Sequence, residues 1–301
     1  MPRQHAMQGT GVRNARVDNL AAKRLIDANE CGAQLGCNPD AIAVQLARSR
    51  HSGARQFRMN DLERFFNSHA GPLIHKWRHY FEIYDRHFAR FRGGSVNIVE
   101  FGVSQGGSIQ MWKDYFGPGA KVFGVDINPN CKRFEEPGVQ IFIGDQADRA
   151  FLRSLATVLP PIDILIDDGG HTMKQQIATF EELFALVSPN GVYLCEDLHT
   201  SYWREFGGGF RRRGTFIEYS KSFIDGLNAW HSREPRRFGV SDFTRSVHSV
   251  HYYDSVIVVE KRPMAPPTHQ RVGDAAFADY APPKPGLLAA IKRRLKRRGR
   301  G

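Results

Sequence analysis

The sequence lacks any apolar run of membrane-spanning length, because none approaches the about 18 unbroken apolar residues that a transmembrane helix needs. Its N-terminal stretch, MPRQHAMQGTGVRNARVDNL, has no apolar centre of the kind found in a secretory signal. Cysteine is scarce and no CxxC pair occurs, which argues against a disulfide framework or a zinc knuckle. The four cysteines are Cys31, Cys37, Cys131 and Cys195. These absences predict a cytoplasmic protein.

The net charge of +11 is concentrated at the two ends of the chain. Residues 286–301 carry seven Lys or Arg and no acid, and residues 1–60 carry nine basic and four acidic side chains. The body between them, residues 61–285, has a net charge of −1, which is not typical of a domain that reads DNA. We therefore expect no specific nucleic-acid partner. The basic tail is interpreted as solvated, with weak contact to an anionic membrane surface as the alternative.

From residue 96 the sequence alternates short β-branched runs with helical segments. Five strands are predicted, at 96–102, 120–127, 139–145, 162–168 and 191–197. This alternation predicts an α/β fold that is Rossmann-like and doubly wound, with helices on both faces of a mostly parallel sheet. The late segment VHSVHYYDSVIVVEKR adds two strands as an antiparallel edge pair, which makes the sheet seven-stranded.

The flanks of this α/β body have a different composition. We predict a poorly ordered or loosely helical segment over residues 1–60, one domain over residues 61–262, and a Pro-rich linker with a basic tail over residues 263–301. Before the first strand, aromatic residues recur every three or four positions, which predicts an amphipathic helix with its aromatic face in the core. These aromatics are Trp77, Tyr80, Phe81, Tyr84, Phe88 and Phe91.

Three successive strand ends carry the residue types of a nucleoside site. The first loop, EFGVSQGGS, has Gly102 and Gly106 where the backbone can approach a ligand, although glycines of a simple tight turn would look the same. The second strand ends in Asp126, placed to accept hydrogen bonds from ribose hydroxyls. Asp145 and Gln146 follow the third strand and can reach an adenine edge. Helix capping is the alternative role for the two aspartates.

At these motifs the chain resembles the class I S-adenosylmethionine-dependent methyltransferases, and more narrowly the metal-dependent sugar O-methyltransferases of macrolide biosynthesis. The resemblance covers residues 65–262, and its most specific parts are DDGGH and CEDLH. It implies that residues 61–262 are a methyltransferase domain of antibiotic biosynthesis with S-adenosylmethionine as cofactor. The implied contacts are Glu100, Gly102 and Gly106 to the methionine portion, Asp126 to the ribose, and Asp145 with Gln146 near the adenine.

Acidic pairs end the fourth and fifth predicted strands, which are neighbours in such a fold. The pairs are Asp167 with Asp168 and Glu196 with Asp197. We expect them to meet at one sheet edge, where carboxylates repel one another unless a cation intervenes. Oxygen-only ligands favour a hard ion such as Mg²⁺. Capping of the following helices is the alternative role.

The resemblance carries specific roles onto these residues. It implies Asp168, Glu196 and Asp197 as Mg²⁺ ligands, with Asp167 less firmly included. His171 matches the general base, and histidine is the side chain best suited to proton transfer near neutral pH. A purely hydrogen-bonding role is the alternative for it, and His199 is the reserve base.

Other side chains are candidates for the surroundings of the site. Four of them, Lys76, His79, Tyr80 and Tyr84, precede the first strand, in a segment that folds over the cofactor in similar enzymes. Tyr202 and Trp203 offer flat faces for a sugar and begin a glycine- and arginine-rich stretch that we interpret as a lid. That arginine run is equally compatible with simple solvation.

The predicted function is Mg²⁺-dependent transfer of a methyl group from S-adenosylmethionine to a hydroxyl, most simply of a sugar, on a glycosylated natural product or glycolipid. The expected partner is a glycosylated small molecule, and homo-oligomerisation is left open. An NAD-dependent oxidoreductase is disfavoured because the first loop lacks GxGxxG. A non-catalytic binder of anionic surfaces or nucleic acid, acting through the basic termini, would leave the acidic pairs unexplained.

Overall fold

The computed structural model describes residues 59–277, so nearly all of the segment predicted at 1–60, and the part of the linker and tail predicted at 263–301 that begins at residue 278, lie outside the described residues. The strands are β1 (Val96–Phe101), β2 (Ala120–Asp126), β3 (Val139–Ile143), β4 (Ile162–Asp167), β5 (Val187–Cys195), β6 (Val247–Tyr252) and β7 (Ile257–Lys261). The described α-helices are α1 (Asp61–Ser68), α2 (Tyr80–Phe88), α3 (Gly107–Phe116), α4 (Arg149–Val158), α5 (Met173–Leu183), α6 (Phe216–Ser220), α7 (Ser222–Asn228) and α8 (Asp242–Ser246). Within residues 59–277, no helix has both the length and the apolar character that a membrane span requires.

The strands form one seven-stranded sheet in the order β3-β2-β1-β4-β5-β7-β6. Strands β1 to β5 are parallel, whereas β7 is antiparallel to both β5 and β6. The predicted Rossmann-like, mostly parallel sheet with an antiparallel edge pair is therefore confirmed. The strand order reverses between β1 and β4, and in open sheets the crevice at such a reversal is where ligands bind.

Successive strand residues point to opposite faces of the sheet, and an apolar cluster covers each face. In β1, Ile98 joins the cluster that includes Tyr80 and Trp112, whereas Val99 and Phe101 join the cluster on the other face. In β5, Val192 and Leu194 join the first cluster, whereas Tyr193 and Cys195 join the second. A sheet covered in this way leaves its carboxyl edge as the place where loops can build a site.

The aromatic segment before β1 differs from the prediction in one respect. Helix α2 begins at Tyr80, and its buried aromatics include Phe81, Tyr84 and Phe88, as predicted. Trp77 precedes the helix and its side chain is 53% exposed, so its assignment to the core was wrong. The reason is local, because residues 69–79 are not helical. They pass close to the first turn of α3, where a Cβ on Gly107 would lie 2.3 Å from the Pro72 carbonyl oxygen.

Candidate active site

A cavity of about 460 Å³ opens at the carboxyl edge of the sheet. Its walls come from the loops after β1 to β5 and from the segment before α2. The predicted site residues that line it are Gly102, Asp126, Asp145, Gln146, Asp168, His171, Glu196 and Asp197. Glu100 and Gly106 do not line it. The volume is in the range of small-molecule sites.

The two predicted glycines of the β1 loop are required by close packing. Gly102 has φ +91°, and a Cβ there would lie 2.0 Å from the carbonyl oxygen of Asp168. Gly106 has φ +80°, and a Cβ there would lie 2.7 Å from the Phe134 ring. Positive φ favours glycine at both positions. The loop can thus come directly against the chain after β4, which brings two walls of the cavity together.

Glu100 is fully buried beneath the cavity floor. Its Oε2 accepts a hydrogen bond from Ser108 Oγ at 2.9 Å, and its Oε1 accepts one from Trp112 Nε1 at 3.0 Å. Burial raises the pKa of this carboxyl, and the charge of Lys76 opposes the rise. Ser108 itself lines the cavity. Glu100 therefore does not line the cavity itself but hydrogen-bonds to Ser108, which does.

The two aspartates after β2 and β3 organise their own loops. Asp126 accepts the backbone N–H of Ser104 at 2.9 Å through Oδ2 and that of Asn128 at 2.8 Å through Oδ1. Asp145 is exposed, and its Oδ1 accepts the N–H of Ala147 at 2.7 Å. Each carboxylate oxygen has a second lone pair available for a ligand.

Gln146 faces the end of β4 in this structure. Its Nε2 donates to Asp167 Oδ1 at 2.7 Å and to Thr179 Oγ1 at 2.9 Å, while its Oε1 accepts the N–H of Gly170 at 3.0 Å. Asp167 is thereby held away from the cavity and does not line it, in keeping with the opposite orientation of consecutive strand residues. Burial raises the pKa of Asp167 to about 6, and the bond from Gln146 opposes that rise.

A lysine lies inside the carboxylate cluster. Lys76 Nζ contacts Asp168 Oδ2 and also lies 2.9 Å from Glu196 Oε1 and 3.0 Å from Glu196 Oε2. The Tyr84 hydroxyl donates to Glu196 Oε1 at 2.7 Å. The sequence predicted that a cation lies between these acids, and the ammonium of Lys76 supplies one positive charge there. The sequence indicated that Lys76 borders the site but gave no signal for this pairing.

Burial and charge act in opposite directions on this group. Burial alone would lower the pKa of Lys76, but the carboxylates of Asp168, Glu196 and Glu100 outweigh it and hold the pKa above its ordinary value. Burial is also the largest influence on the Asp168 and Glu196 carboxyls and raises their pKa values, whereas the ammonium of Lys76 acts to lower them. The ammonium form is therefore strongly favoured here.

On the cavity side, three ligand atoms converge. His171 Nε2 lies 3.4 Å from Asp197 Oδ2 and 3.9 Å from Asp168 Oδ1, and the ligand atoms of these residues lie within 4.8 Å of one another. The Tyr80 hydroxyl donates to Asp197 Oδ1 at 2.7 Å, which leaves Oδ2 towards the histidine. Of the three predicted metal ligands, Asp168 and Asp197 are thus brought together, whereas Glu196 is directed at Lys76.

The backbone at this point is strained. His171 has φ 55° and Asp197 has φ 54°, both in the left-handed region that residues other than glycine seldom adopt. Within the described residues, the buried Nδ1 atom of His171 has no hydrogen-bond partner. Strain and unpaired polar atoms of this kind persist where the surrounding structure enforces them, and they cluster at functional sites.

The reserve base, His199, lies beside the cavity rather than in its lining, and so do Tyr202 and Trp203, the two aromatic residues predicted to support a sugar. His199 Nδ1 pairs with Ser255 Oγ, and its ring centroid lies 5.9 Å from that of Trp77 and 4.6 Å from that of Trp203. Trp203 is 46% exposed and Tyr202 is 50% exposed. Trp77 lines the cavity. An exposed aromatic surface therefore continues outward from the cavity mouth.

Residues 99–198 match the protein family described as a methyltransferase domain. The chain is also similar to named O-methyltransferases. It is 41% identical over 193 residues to the 8-demethyl-8-α-L-rhamnosyl tetracenomycin-C 2'-O-methyltransferase of Streptomyces olivaceus, a match that covers 61% of this chain and 50% of the relative. It is 35% identical over 225 residues to the mycinamicin VI 2''-O-methyltransferase of Micromonospora griseorubida, which covers 69% of this chain and 54% of that relative.

A solved structure is similar to this chain as well. The MycE methyltransferase of the mycinamycin biosynthetic pathway, in complex with Mg and SAH, superposes with a TM-score of 0.62 at 32% identity over 68% of this chain and 55% of that chain. The chain spans about half the length of the curated relatives it matches. These matches confirm the resemblance to macrolide sugar O-methyltransferases that the motifs DDGGH and CEDLH indicated.

Proposed function

We propose that this chain transfers a methyl group from S-adenosylmethionine to a sugar hydroxyl of a glycosylated polyketide, with the help of a divalent cation such as Mg²⁺. The observation that carries the proposal is the convergence of Asp168, His171 and Asp197 in the cavity that also contains Asp126. The relatives support it, because one is named as the 2'-O-methyltransferase of a rhamnosyl tetracenomycin and another as the 2''-O-methyltransferase of mycinamicin VI, and one MycE complex contains Mg, SAH and mycinamycin VI.

S-adenosylmethionine would occupy the part of the cavity nearest β1, β2 and β3. Asp126 would accept the ribose hydroxyls with its remaining lone pairs, and Gly102 would let the β1 loop lie close to the methionine portion. Asp145 would lie near the adenine. Gln146 and Glu100 would act by holding the loop after β4 and Ser108 in place, since their own polar groups are already paired.

The donor set fits a hard divalent cation. Asp168 and Asp197 each turn one oxygen towards the cavity, with side chains 18% and 21% exposed, and oxygen donors suit Mg²⁺. Asp168 and Asp197 would hold the metal, and Glu196 is the predicted third ligand. A bound Mg²⁺ would lower the pKa of the acceptor hydroxyl and fix its orientation.

His171 would act as the general base. Its Nε2 faces the cavity between the two aspartates and is the atom placed to accept the hydroxyl proton. The acceptor oxygen then forms a bond to the methyl carbon as the carbon–sulfur bond breaks, and S-adenosylhomocysteine leaves with the sulfur electron pair. The positive charge of the sulfonium is neutralised in the same step, so the charges balance.

Several sequence-based expectations stay predictions. Two of them concern the chain itself, namely the domain boundaries at residues 60 and 262 and homo-oligomerisation. The others are the weak contact of the basic tail with an anionic membrane surface, the absence of a specific nucleic-acid partner, and the cytoplasmic location. The aromatic surface formed by Trp77, Tyr202 and Trp203 would support the acceptor, which is also a prediction.

The test is binding and turnover with defined ligands. We expect calorimetric titration to show binding of S-adenosylmethionine and S-adenosylhomocysteine, weakened by about tenfold or more in Asp126→Asn, because a ribose contact is lost. Asp242→Asn is the matched control, since this aspartate is exposed and does not line the cavity. Methyl transfer to 8-demethyl-8-α-L-rhamnosyl tetracenomycin C or mycinamicin VI should require Mg²⁺ and stop with EDTA. Absence of binding of both nucleosides at millimolar concentration would refute the proposal.

A further inference from the structure

The turn between β6 and β7 reaches across to the loop that follows β5. Ser255 in this turn accepts the backbone N–H of His199 through Oγ at 3.1 Å, and its carbonyl oxygen accepts the N–H of Leu198 at 2.9 Å. Ser255 Oγ also pairs with His199 Nδ1. Ser255 has φ 65°, a conformation that residues other than glycine seldom adopt. One strained residue therefore holds both the backbone and the ring of His199.

The hydrogen bonds of Ser255 decide which ring nitrogen of His199 carries the proton. Within residues 59–277, the Ser255 hydroxyl has no partner that can accept its proton other than His199 Nδ1, so the proton is assigned to that bond. A bond in the other direction, from Nδ1–H to Oγ, would leave the hydroxyl proton unpaired in the protein. Nδ1 therefore accepts, and the proton of a neutral imidazole then lies on Nε2. His199 thus has a donor at Nε2 and no free lone pair with which to take a proton from a substrate.

Two half-exposed indole rings flank the imidazole of His199. Its centroid lies 5.9 Å from that of Trp77 and 4.6 Å from that of Trp203, and both pairs are edge-to-face. Trp77 also lines the cavity. In the part of the chain that the structure describes, Nε2 of His199 makes no hydrogen bond to a protein atom. Aromatic surfaces with a polar donor between them suit a ligand that combines an apolar ring face with oxygen atoms, as a sugar does.

We propose that His199 binds the glycoside, with its Nε2–H donating to a hydroxyl or ether oxygen of the sugar other than the hydroxyl that is methylated. His199 then does not serve as the reserve base, and Ser255 is the positioning residue that fixes its ring. Because one residue separates His199 from Asp197 in the chain, this sugar-binding position adjoins the cluster that Asp197 forms with Asp168 and His171. The inference rests on the proposed function, since it names a residue that recognises the sugar of that reaction.

The test measures glycoside binding by calorimetry in the full chain saturated with S-adenosylhomocysteine and Mg²⁺, so that no methyl transfer occurs. The glycosides are 8-demethyl-8-α-L-rhamnosyl tetracenomycin C and mycinamicin VI. Two variants separate the two ring nitrogens, because the amide of asparagine reaches the position of Nδ1 and the amide of glutamine reaches that of Nε2. His199→Gln keeps a donor towards the sugar, whereas His199→Asn keeps the partner of Ser255.

The two variants should differ in glycoside affinity. We expect His199→Asn to weaken binding by about tenfold, because one hydrogen bond to the sugar is lost, and His199→Gln to restore it to within about threefold of the wild type. Ser255→Ala frees the imidazole ring and should give an affinity between these two. His248→Asn is the control, because this histidine is exposed on β6 and does not line the cavity. Equal affinity for S-adenosylhomocysteine in all variants would verify that each is folded.

Other outcomes would overturn the inference in distinguishable ways. If His199→Asn binds the glycosides as the wild type does, or if His199→Gln loses as much affinity as His199→Asn, no bond from Nε2 reaches the sugar. A fall in kcat of about 10²-fold or more in both variants, with glycoside affinity kept, would make His199 the base instead. If the wild type binds S-adenosylhomocysteine but neither glycoside, the sugar-binding position fails and the nucleoside site stands. If it binds neither nucleoside nor glycoside, the proposed function fails and the inference fails with it.

Discussion

Two clusters among the described residues combine histidine with carboxylates and have the ligand types of a metal site, yet they differ in how completely they are paired. The cavity cluster consists of Asp168, His171 and Asp197. The edge cluster consists of His87, His251 and Glu260 and lies between α2 and the β6–β7 pair. Comparing them shows what distinguishes a structural polar network from a site prepared for a ligand.

In the edge cluster, the main donors and acceptors have partners within the protein. His87 Nδ1 donates to Glu260 Oε1 at 2.8 Å, and His87 Nε2 pairs with the Tyr253 hydroxyl at 2.8 Å. Arg90 adds a bond to Glu260 at 3.0 Å. Burial alone would raise the pKa of Glu260, but the hydrogen bonds from His87 and Arg90 outweigh it and lower the pKa to about 2. This network fastens helix to sheet, and the guanidinium beside it disfavours a further cation.

In the cavity cluster the balance is the opposite. His171 Nδ1 is buried without a partner within the described residues, its backbone is in the left-handed region, and burial holds the pKa of the Asp168 carboxyl above its ordinary value. Each of these features costs stability, and among them only the raised pKa of Asp168 is opposed by a protein group, the ammonium of Lys76. Proteins keep such features where function requires them. The comparison therefore favours a structural role for the edge cluster and a chemical role for the cavity cluster.

The largest effect expected from this comparison is on turnover. His171→Asn should reduce methyl transfer to 8-demethyl-8-α-L-rhamnosyl tetracenomycin C by about 10²–10⁴-fold, the usual contribution of a general base. Asparagine tolerates the left-handed backbone at this position, so the fold and the affinity for S-adenosylhomocysteine should persist. The matched change in the edge cluster, His251→Asn, should leave turnover within about threefold. Equal losses in both variants would remove the distinction between the clusters.

The next effect concerns metal binding. Asp197→Asn should weaken Mn²⁺ binding by at least about tenfold in calorimetry, because it removes one of the two carboxylates that face the cavity. Glu260→Gln makes the same change of charge in the edge cluster and should leave the affinity unaltered. If Glu260→Gln weakens Mn²⁺ binding and Asp197→Asn does not, the metal belongs to the edge cluster and the proposed site is wrong.

Much of the fold follows from patterns that the chain displays locally. Alternating β-branched and helical segments were sufficient for the sheet, and the antiparallel pair was identified from its two short strands. Trp77 was misplaced because helical spacing alone does not reveal where a helix begins. Nothing in the spacing marks Tyr80 as the first helical residue rather than Trp77, three positions earlier.

The candidate site was less accessible to sequence reasoning. Acids at strand ends predict a cluster at the sheet edge, and Asp168 and Asp197 do meet there with His171. The side on which each carboxylate lies depends on partners that are distant along the chain. Lys76 is 120 residues from Glu196, and local sequence carries no information about such a contact. For the same reason, the pairing of Gln146 with Asp167 could not be anticipated.

The free energy of unfolding should depend more on the edge cluster than on the cavity cluster, the reverse of what is expected for turnover and metal binding. Glu260→Gln should lower the free energy of unfolding by about 2 kcal/mol, because charge-assisted bonds from His87 and Arg90 are lost at a side chain that is only 19% exposed. Asp197→Asn retains an oxygen for the Tyr80 hydroxyl and should change the stability by less than about 1 kcal/mol in metal-free urea unfolding. A larger loss in Asp197→Asn would mean that the cavity cluster also stabilises the fold.

The smallest effect is the pH dependence of the stability that Glu260 contributes. Because the folded pKa of Glu260, about 2, lies below its ordinary value of 4.5, its contribution is present above about pH 4.5 and is lost as the pH falls towards 2. The pKa of His87 is lowered mainly by burial, which also favours the folded state at higher pH. The stability difference between wild type and Glu260→Gln should therefore shrink from about pH 5 to pH 3 in urea unfolding. A constant difference across this range would show that Glu260 gains nothing from its charge in the folded state, and the edge cluster would then stabilise the fold by packing rather than by ion pairing.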